Sequence, residues 1–386
     1  MSAPLTIIGS GMAGIGLLRQ LRALDAQRPV TLITADSGDD YAKPLLSTGF
    51  AKRLPPDRLA ARSPLRVAEQ LGAVVRTHTR VEAIDLATRT LQIGAERLPW
   101  SELVLATGAA PAVPFPVPEA VGGRVFSIND LDDYRAFHGT LEALGRPGRV
   151  AIIGAGLVGC EFANDLLAGG HEVSLVAPEP APLPRLLPEP LGRALGEAFE
   201  EAGMLLSLGV GVRALEAAGA DVGLALDDGS YLEADLVLVA TGLRPRTALA
   251  EAAGLAVSAA GIHTDRHLTT SVPGVHALGD VACVDGMNAM YVQPLQASAK
   301  ALALTLTGTP TPVSYGPWPV VVKTPLRPVV ALPPASPPAR WRIEGEAGNF
   351  TALAESEDGR LIGFALTGAC VRRKVELARV APPLLG

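Results

Sequence analysis

The chain has 386 residues, which predicts two to three domains at roughly 150 residues per domain. Apolar residues make up 48% and charged residues 19% of the chain, and the mean hydropathy is +0.29, so a disordered or fibrous chain is excluded. A formal net charge of −6 and a pI near 5.6 argue against a nucleic-acid-binding protein or a basic membrane-surface protein.

The N-terminal segment predicts a nucleotide-binding turn. A short apolar strand is followed by Gly9, Gly11 and Gly14 in a G-x-G-x-x-G pattern, and then by an apolar period typical of a helix. Gly9 permits the turn, Gly11 lets the backbone approach a pyrophosphate, and Gly14 lets the helix pack against the sheet. The phosphates would meet free N–H groups at the helix start. The next apolar strand ends at Asp36, where a ribose would lie.

The same pattern returns 145 residues later, at Gly154, Gly156 and Gly159. Each repeat closes with an apolar strand that ends in A-T-G, at 106–108 and at 240–242. These repeats predict a duplicated nucleotide-binding domain. Two tight turns with close helix–strand packing are the alternative. Two nucleotides suggest electron transfer between them, with a flavin in one repeat and a nicotinamide in the other.

A further apolar strand ends at Gly279 and Asp280, and a helix is predicted over 294–306. The Asp280 carboxylate could accept a hydrogen bond from a ribityl hydroxyl, or it could simply cap the helix. The proline-rich stretch 310–319 marks a domain boundary. Beyond it we expect an exposed loop at 333–338 and strands at 320–322, 342–344, 351–353 and 361–364.

The sequence gives no sign of targeting or metal binding. No run of 18 or more apolar residues occurs, so we expect no membrane insertion. Three cysteines lie far apart, which argues against a disulfide framework and favours a reducing compartment, the cytoplasm. The six histidines show no metal-ligand spacing, so no metal site is expected.

These motifs resemble the FAD-dependent pyridine-nucleotide disulfide oxidoreductase superfamily over about residues 5–310. The resemblance implies an α/β fold of two interleaved Rossmann-like domains, with FAD in the first repeat and NAD(P)H in the second, plus a small C-terminal α+β domain. We expect a discontinuous FAD domain at 1–112 and 243–312, a NAD(P)H domain at 113–242 and the C-terminal domain at 313–386.

Four further segments closely resemble bacterial rubredoxin reductases across essentially the whole chain. They are 43–47, 159–166, 322–325 and 363–368. The resemblance implies hydride transfer from NADH to FAD, followed by two one-electron transfers to the single iron of rubredoxin, for alkane hydroxylation or oxygen detoxification. In that superfamily, disulfide reductases keep a cysteine pair in the helix after the first βαβ unit, and thiol-based NADH oxidases and coenzyme A disulfide reductases keep one cysteine there, but the segment 41–50 has none. Electrons should therefore leave the flavin directly.

The resemblance also suggests two catalytic residues, Lys43 and Glu161. In related ferredoxin reductases the matching residues pair beside the flavin, so we expect an ion pair here, with Lys43 supporting negative charge on the reduced flavin. A structural salt bridge is the alternative. Lys323 follows three valines and is expected near the flavin ring or at the edge where rubredoxin docks. The alternative is a lysine at a strand end whose stem is buried while its ammonium reaches water.

Glu179 is the expected ribose contact of NADH, because no acidic residue follows Val176 directly and no arginine stands there to hold a 2′-phosphate. NADPH stays open. The full predicted set of cofactor-contacting residues is Gly9, Gly11, Ala13, Gly14, Asp36, Lys43, Pro44, Val81, Ala106, Thr107, Gly108, Gly154, Gly156, Leu157, Val158, Gly159, Glu161, Glu179, Gly242, Gly279, Asp280, Val292 and Lys323.

The partner implied by the resemblance is rubredoxin, a small acidic iron protein, and the reductase is expected to be a monomer. A local positive surface would be needed, with Lys43, Lys52, Arg53, Lys323 and Arg327 as candidates. Alternative partners are a [2Fe–2S] ferredoxin or flavorubredoxin at the same site. A non-catalytic module that senses flavin or NADH is a hypothesis of a different class.

Overall fold

The computed structural model describes residues 3–386 and places the first glycine turn on a five-stranded parallel sheet. Its apolar strands are buried, as expected for a sheet covered on both faces. The helix Met12–Leu24 follows the turn and packs against the helix Val292–Leu306. The strand order is Val275–Ala277, Glu102–Leu105, Leu5–Ile8, Val30–Ile33 and Val74–Arg76.

The second glycine turn lies on another five-stranded parallel sheet. The helix Leu157–Ala168 follows this turn. The strand order is Val125–Phe126, Leu236–Val239, Arg149–Ile153, Glu172–Ala177 and Leu205–Leu208. In both sheets the strand before the glycine turn is central. One of its neighbours is the strand that follows the helix after the turn, and the other is the strand that leads into A-T-G. This confirms the predicted duplication.

Each parallel sheet is accompanied by a three-stranded antiparallel sheet that the sequence analysis did not predict. These are formed by Ala83–Asp85, Thr90–Ile93 and Glu96–Pro99, and by Val212–Ala218, Asp221–Leu226 and Tyr231–Ala234. The duplicated unit is therefore larger than the βαβ motif. The chain passes between the two halves through paired strands, Ala109–Pro111 and Leu243–Pro245.

The C-terminal unit is a five-stranded antiparallel sheet with a short helix, Lys374–Ala378. The loop 333–338 carries no helix or strand, as predicted, and residues 335–337 are exposed while the others are half-buried. The strand order is Val320–Val322, Val329–Leu332, Leu361–Thr367, Asn349–Glu355 and Arg340–Glu346. All four predicted strands are present, and Val329–Leu332 was missed.

The hydrophobic cores join the C-terminal unit to the rest of the chain. Val322, Val329 and Ala365 share one core with Phe162 of the second unit and with Phe50, which precedes it in the chain. The α/β architecture is confirmed, whereas the domain limits near 112, 242 and 312 stay predictions. No described helix has the length and apolar character needed to span a membrane.

The remaining elements include two longer helices that contribute to the core, Leu131–Glu142 and Glu189–Glu201, and several shorter pieces. The helices are Pro64–Leu71, Glu119–Gly122, Leu131–Glu142, Glu189–Glu201 and Ala248–Ala252, with 3-10 turns at Lys43–Thr48, Pro56–Arg58, Gly279–Val281 and Gly368–Arg373. The remaining strands are Asp40–Tyr41, Ala60–Arg62, Val257–Ser258, Gly261–Thr264 and Ala282–Val284.

Asp235 anchors the strand that carries the second A-T-G turn. Its buried carboxylate accepts hydrogen bonds from the Arg146 guanidinium at 2.6 and 2.9 Å and from the Arg149 backbone N–H at 2.8 Å. Burial alone would raise the pKa of Asp235, but these donors outweigh it and hold the pKa well below its ordinary value.

We expect Asp235→Asn to lower the free energy of unfolding by about 2 kcal/mol at pH 7, because charge-assisted hydrogen bonds are lost. Since the native pKa is depressed, this advantage exists above the ordinary carboxyl pKa and disappears as the pH falls through the native value. Urea denaturation at neutral and acid pH measures the difference. Glu233→Gln, an exposed control without an ion pair in the described chain, should change little.

Candidate functional site

The first glycine turn has no room for side chains where the backbone crosses itself. Gly9 has a φ of +116°, and a Cβ there would collide with the Ala106 carbonyl. A Cβ on Gly14 would collide with the Gly9 carbonyl. Gly11 differs, because a Cβ there would meet nothing within 4 Å. Gly9 and Gly14 are thus needed for packing, and Gly11 leaves open space at the helix start.

The second turn repeats this geometry. A Cβ on Gly154 would collide with the Ala240 carbonyl, and one on Gly159 with the Gly154 carbonyl, whereas Gly156 faces open space. The Gly154 N–H donates to Val176 at 2.8 Å, as Gly9 donates to Ile33 at 2.8 Å. Both turns therefore offer an uncovered helix N-terminus, which fits a dinucleotide pyrophosphate.

Asp36 and Gly279 complete the surroundings of the first turn. Asp36 Oδ1 accepts hydrogen bonds from Thr34 at 2.6 Å and from Ser10 at 3.0 Å. Within residues 3–386 its Oδ2 has no hydrogen-bond donor, so this oxygen fits a ribose hydroxyl. Gly279 has a φ of +78°, and a Cβ there would lie 2.7 Å from Ala13 Cβ, which brings the Gly279–Asp280 turn against the first helix.

Lys43 lies in a partly buried polar environment beside the first site. Its Nζ donates to Asn129 Oδ1 at 2.7 Å, and Asn129 Nδ2 donates to the Ala109 carbonyl at 3.0 Å. Burial lowers the pKa of Lys43, opposed by the carboxylate of Asp280. Burial also raises the pKa of Asp280, opposed by Lys43. A cation and a carboxylate thus share a poorly solvated space.

Glu161 does not pair with Lys43 in this structure, which corrects the expected ion pair. Its Oε2 lies 2.6 Å from Lys323 Nζ and accepts a hydrogen bond from Ser47 at 2.9 Å. Its Oε1 accepts from the Lys323 backbone N–H at 3.0 Å. Lys323 reaches the carboxylate with two donors, whereas the ammonium of Lys43 is held by Asn129. The buried carboxylate is therefore already satisfied.

The other predicted residues lie at the following places in the fold. Lys323 Nζ also donates to the Pro44 carbonyl, and Thr107 Oγ1 donates to the Arg246 carbonyl at 3.1 Å. The side chain of Val81 packs on the hydrophobic core around the first parallel sheet. Gly108 and Gly242 both have positive φ, at turns beside the paired connecting strands. Leu157, Val158 and Val292 lie in the first turns of their helices, and Glu179 is half-buried just beyond Glu172–Ala177.

Three residues of the site were missed by the sequence analysis. Ser47 touches Glu161, Asn129 holds Lys43, and Arg246 lowers the pKa of Lys43 by its charge. Ser47 belongs to the 43–47 segment already singled out, so its position could have been recognised. Asn129 and Arg246 lie in no motif, and only the tertiary structure identifies them.

Cys160 is a packing residue of the helix Leu157–Ala168. Cys160 is buried, and its Sγ donates to the Ala155 carbonyl at 3.3 Å. Burial raises the pKa of its thiol, so the thiolate is disfavoured. This agrees with the packing role expected from the sequence.

Two protein-family models match the chain. The first, described as pyridine nucleotide-disulphide oxidoreductase, matches residues 3–301, and the second, described as rubredoxin binding C-terminal domain, matches residues 312–380. The two matches together span the glycine turns and the C-terminal sheet.

Similar proteins match over nearly their full length. A rubredoxin-NAD(+) reductase of Alcanivorax borkumensis is 44% identical, with 99% of each chain covered. A nitric oxide reductase FlRd-NAD(+) reductase of Vibrio vulnificus is 36% identical, with 98% of each covered. Among solved structures, a ferredoxin reductase of Rhodopseudomonas palustris has a TM-score of 0.85 and 28% identity, covering 95% of this chain and 91% of that one.

The second turn allows binding and packing to be separated. We expect Gly156→Ala to weaken NADH binding about tenfold, because the Cβ enters the open space, while it costs less than about 1 kcal/mol of stability. Gly159→Ala should cost about 3 kcal/mol, because its Cβ meets a backbone carbonyl. NADH titration and urea denaturation of both variants test this. Equal stability losses would contradict it.

Proposed function

This chain belongs to the pyridine nucleotide-disulphide oxidoreductase family, and from that premise we propose that it is an NADH-dependent rubredoxin reductase. The observation that carries the proposal is the C-terminal unit. It matches the rubredoxin-binding model and shares a hydrophobic core with the second glycine-turn unit. A partner bound there would meet a unit that is packed firmly against the nucleotide sites.

The two glycine turns assign the cofactors. FAD would be held by Gly11, Asp36 and Asp280, and NADH by Gly156 and Glu179. When bound, FAD would supply the conversion between the two-electron chemistry of NADH and the one-electron chemistry of an iron acceptor, and these residues would hold the two nucleotides for it. The overall reaction then oxidises one NADH to NAD⁺ with release of a proton, and converts two rubredoxin irons from ferric to ferrous.

The residues around Lys43 supply charge and position. A partly desolvated ammonium stabilises negative charge that develops on the nearby cofactor more strongly than an ammonium in water does. Asn129 holds Nζ by its Oδ1 and fixes the direction of the side chain. Glu161 belongs to the second unit. Its carboxylate is held by Ser47 from the first part of the chain and by Lys323 from the C-terminal unit. We assign Glu161 to the nicotinamide side of the site.

Flavorubredoxin is the second candidate acceptor, since the Vibrio vulnificus relative is 36% identical over 98% of its length. A reductase for either acceptor would have the same cofactor sites, so the difference would lie in the docked partner. We propose a monomeric protein of the cytoplasm in both cases. Size measurement in solution and cell fractionation test those two points.

The function is tested with the purified, FAD-loaded protein. NADH oxidation is followed with a bacterial rubredoxin, a flavorubredoxin or a [2Fe–2S] ferredoxin as acceptor. We expect rubredoxin to give the highest kcat/KM and a stoichiometry of two rubredoxins per NADH. Faster reduction of ferredoxin would overturn the proposal, and FAD-loaded protein that binds NADH but reduces none of the three acceptors would support a non-catalytic sensing role instead.

The role of Lys43 has its own test. Lys43→Met keeps the length of the side chain and removes the charge, so we expect flavin bleaching by NADH to slow by about tenfold to a hundredfold. Stopped-flow absorbance of the FAD-loaded variant measures this rate. Lys52→Met, an exposed control on the same segment, should leave it unchanged. An unchanged rate in Lys43→Met would show that the lysine is structural.

A further inference from the structure

A groove lies on the surface between the C-terminal unit and the helix Val292–Leu306. Its apolar lining includes Trp318, Val321 and Val375, and the two valines are each 55% exposed. Lys374 and Arg379 lie on the same short helical segment as Val375 and line the groove beside it. An aromatic and aliphatic floor with a cationic rim has the composition of a protein-binding surface.

The charge of this unit differs in sign from that of the whole chain. Residues 313–386 contain nine Lys and Arg but six Asp and Glu, a net charge of +3, whereas the whole chain carries −6. Within residues 3–386, Lys374 and Arg379 have no carboxylate within 4.0 Å. The nearby Glu376 is paired with Arg373 at 3.1 Å. The groove therefore presents uncompensated positive charge in an acidic protein.

Two connections bring the groove close to the cofactor site. Gln293 lines the groove and lies in the first turn of its helix, where Leu295 approaches Gly279, the residue before Asp280. Val321, on the other side, is two residues before Lys323, whose ammonium contacts Glu161. The groove is thus connected, through the start of one helix and through one strand, to groups that we assign to FAD and NADH.

The positive patch expected from the sequence fits docking less well. Lys43 and Lys323 direct their ammonium groups to Asn129 and Glu161 inside the protein. Arg327 buries its Nε and donates from Nη1 to the Ala347 carbonyl at 3.4 Å. The remaining exposed cations of that patch, Lys52 and Arg53, lie outside the C-terminal unit.

We propose that this groove, with Val375 in its floor and Lys374 and Arg379 on its rim, is where the acidic iron protein docks. The inference rests on the proposed function, and it adds the face that the partner uses. The carboxylates of the partner would meet the two cations, and its apolar surface around the iron would cover Val321, Val375 and Trp318. The charges mainly speed the encounter, and the apolar floor mainly slows dissociation.

The test compares rubredoxin with ferricyanide, a small acceptor that needs no docking. In the double variant Lys374→Glu/Arg379→Glu we expect the KM for a bacterial rubredoxin to rise about tenfold at low ionic strength. As added salt screens the charges, the KM of the wild type should rise toward that of the variant. Val375→Glu should raise the same KM, and the KM of this variant should depend less on salt concentration than that of the wild type. Arg360→Glu is the matched control, because its side chain is 83% exposed outside the groove.

The outcomes separate the two proposals. A rise in rubredoxin KM with unchanged ferricyanide reduction supports the groove. If wild type reduces rubredoxin and the groove variants match it, the groove is wrong and the function stands. A larger effect from Lys52→Glu/Arg53→Glu would move docking to that other surface and overturn the groove. If wild type reduces ferricyanide but not rubredoxin, the proposed function itself fails.

Discussion

The carboxylate of Glu161 is the contact on which the arrangement of the three units depends. It belongs to the helix after the second glycine turn, yet its hydrogen bonds come from Ser47 in the first part of the chain and from Lys323 in the C-terminal unit. A buried carboxylate left without donors is strongly destabilising, so all three segments are held to one geometry. A displacement of the C-terminal unit would therefore disturb, through this side chain, the helix that follows the second glycine turn.

The glycine turns were predictable because their requirement is local. Gly9 and Gly14, like Gly154 and Gly159, are fixed by backbone atoms that approach too closely for any Cβ. Such a requirement appears in the sequence as a short pattern between a strand and a helix. The parallel sheets follow from the same reasoning, since buried apolar strands and amphipathic helices alternate. The antiparallel additions escaped prediction because most of their strands are short or largely exposed and carry a weak pattern, although Asp221–Leu226 is buried.

The partners of charged side chains were the part that sequence could not determine. Lys43 and Glu161 were expected to pair, but Lys323 lies 162 residues after Glu161 and still supplies two of its donors. Similarly, Asn129 reaches Lys43 across 86 residues. Neither pairing can be predicted from the local pattern of polar and apolar residues. Which cation meets which anion depends on tertiary packing, so the resemblance singled out both residues but paired Glu161 with Lys43, whereas the structure pairs it with Lys323.

The distribution of charge explains how an acidic protein could receive an acidic partner. Net charge governs repulsion at long range, but within a Debye length of about 10 Å the local surface dominates. In the proposed docking mode, a C-terminal unit with excess positive charge would orient the approaching partner toward one face. A shared hydrophobic core and the contacts of Glu161 join that unit to the second glycine-turn unit, so attraction and electron transfer would involve the same face of the molecule. Acidic surface elsewhere would disfavour unproductive orientations, which would help the positive unit to select one.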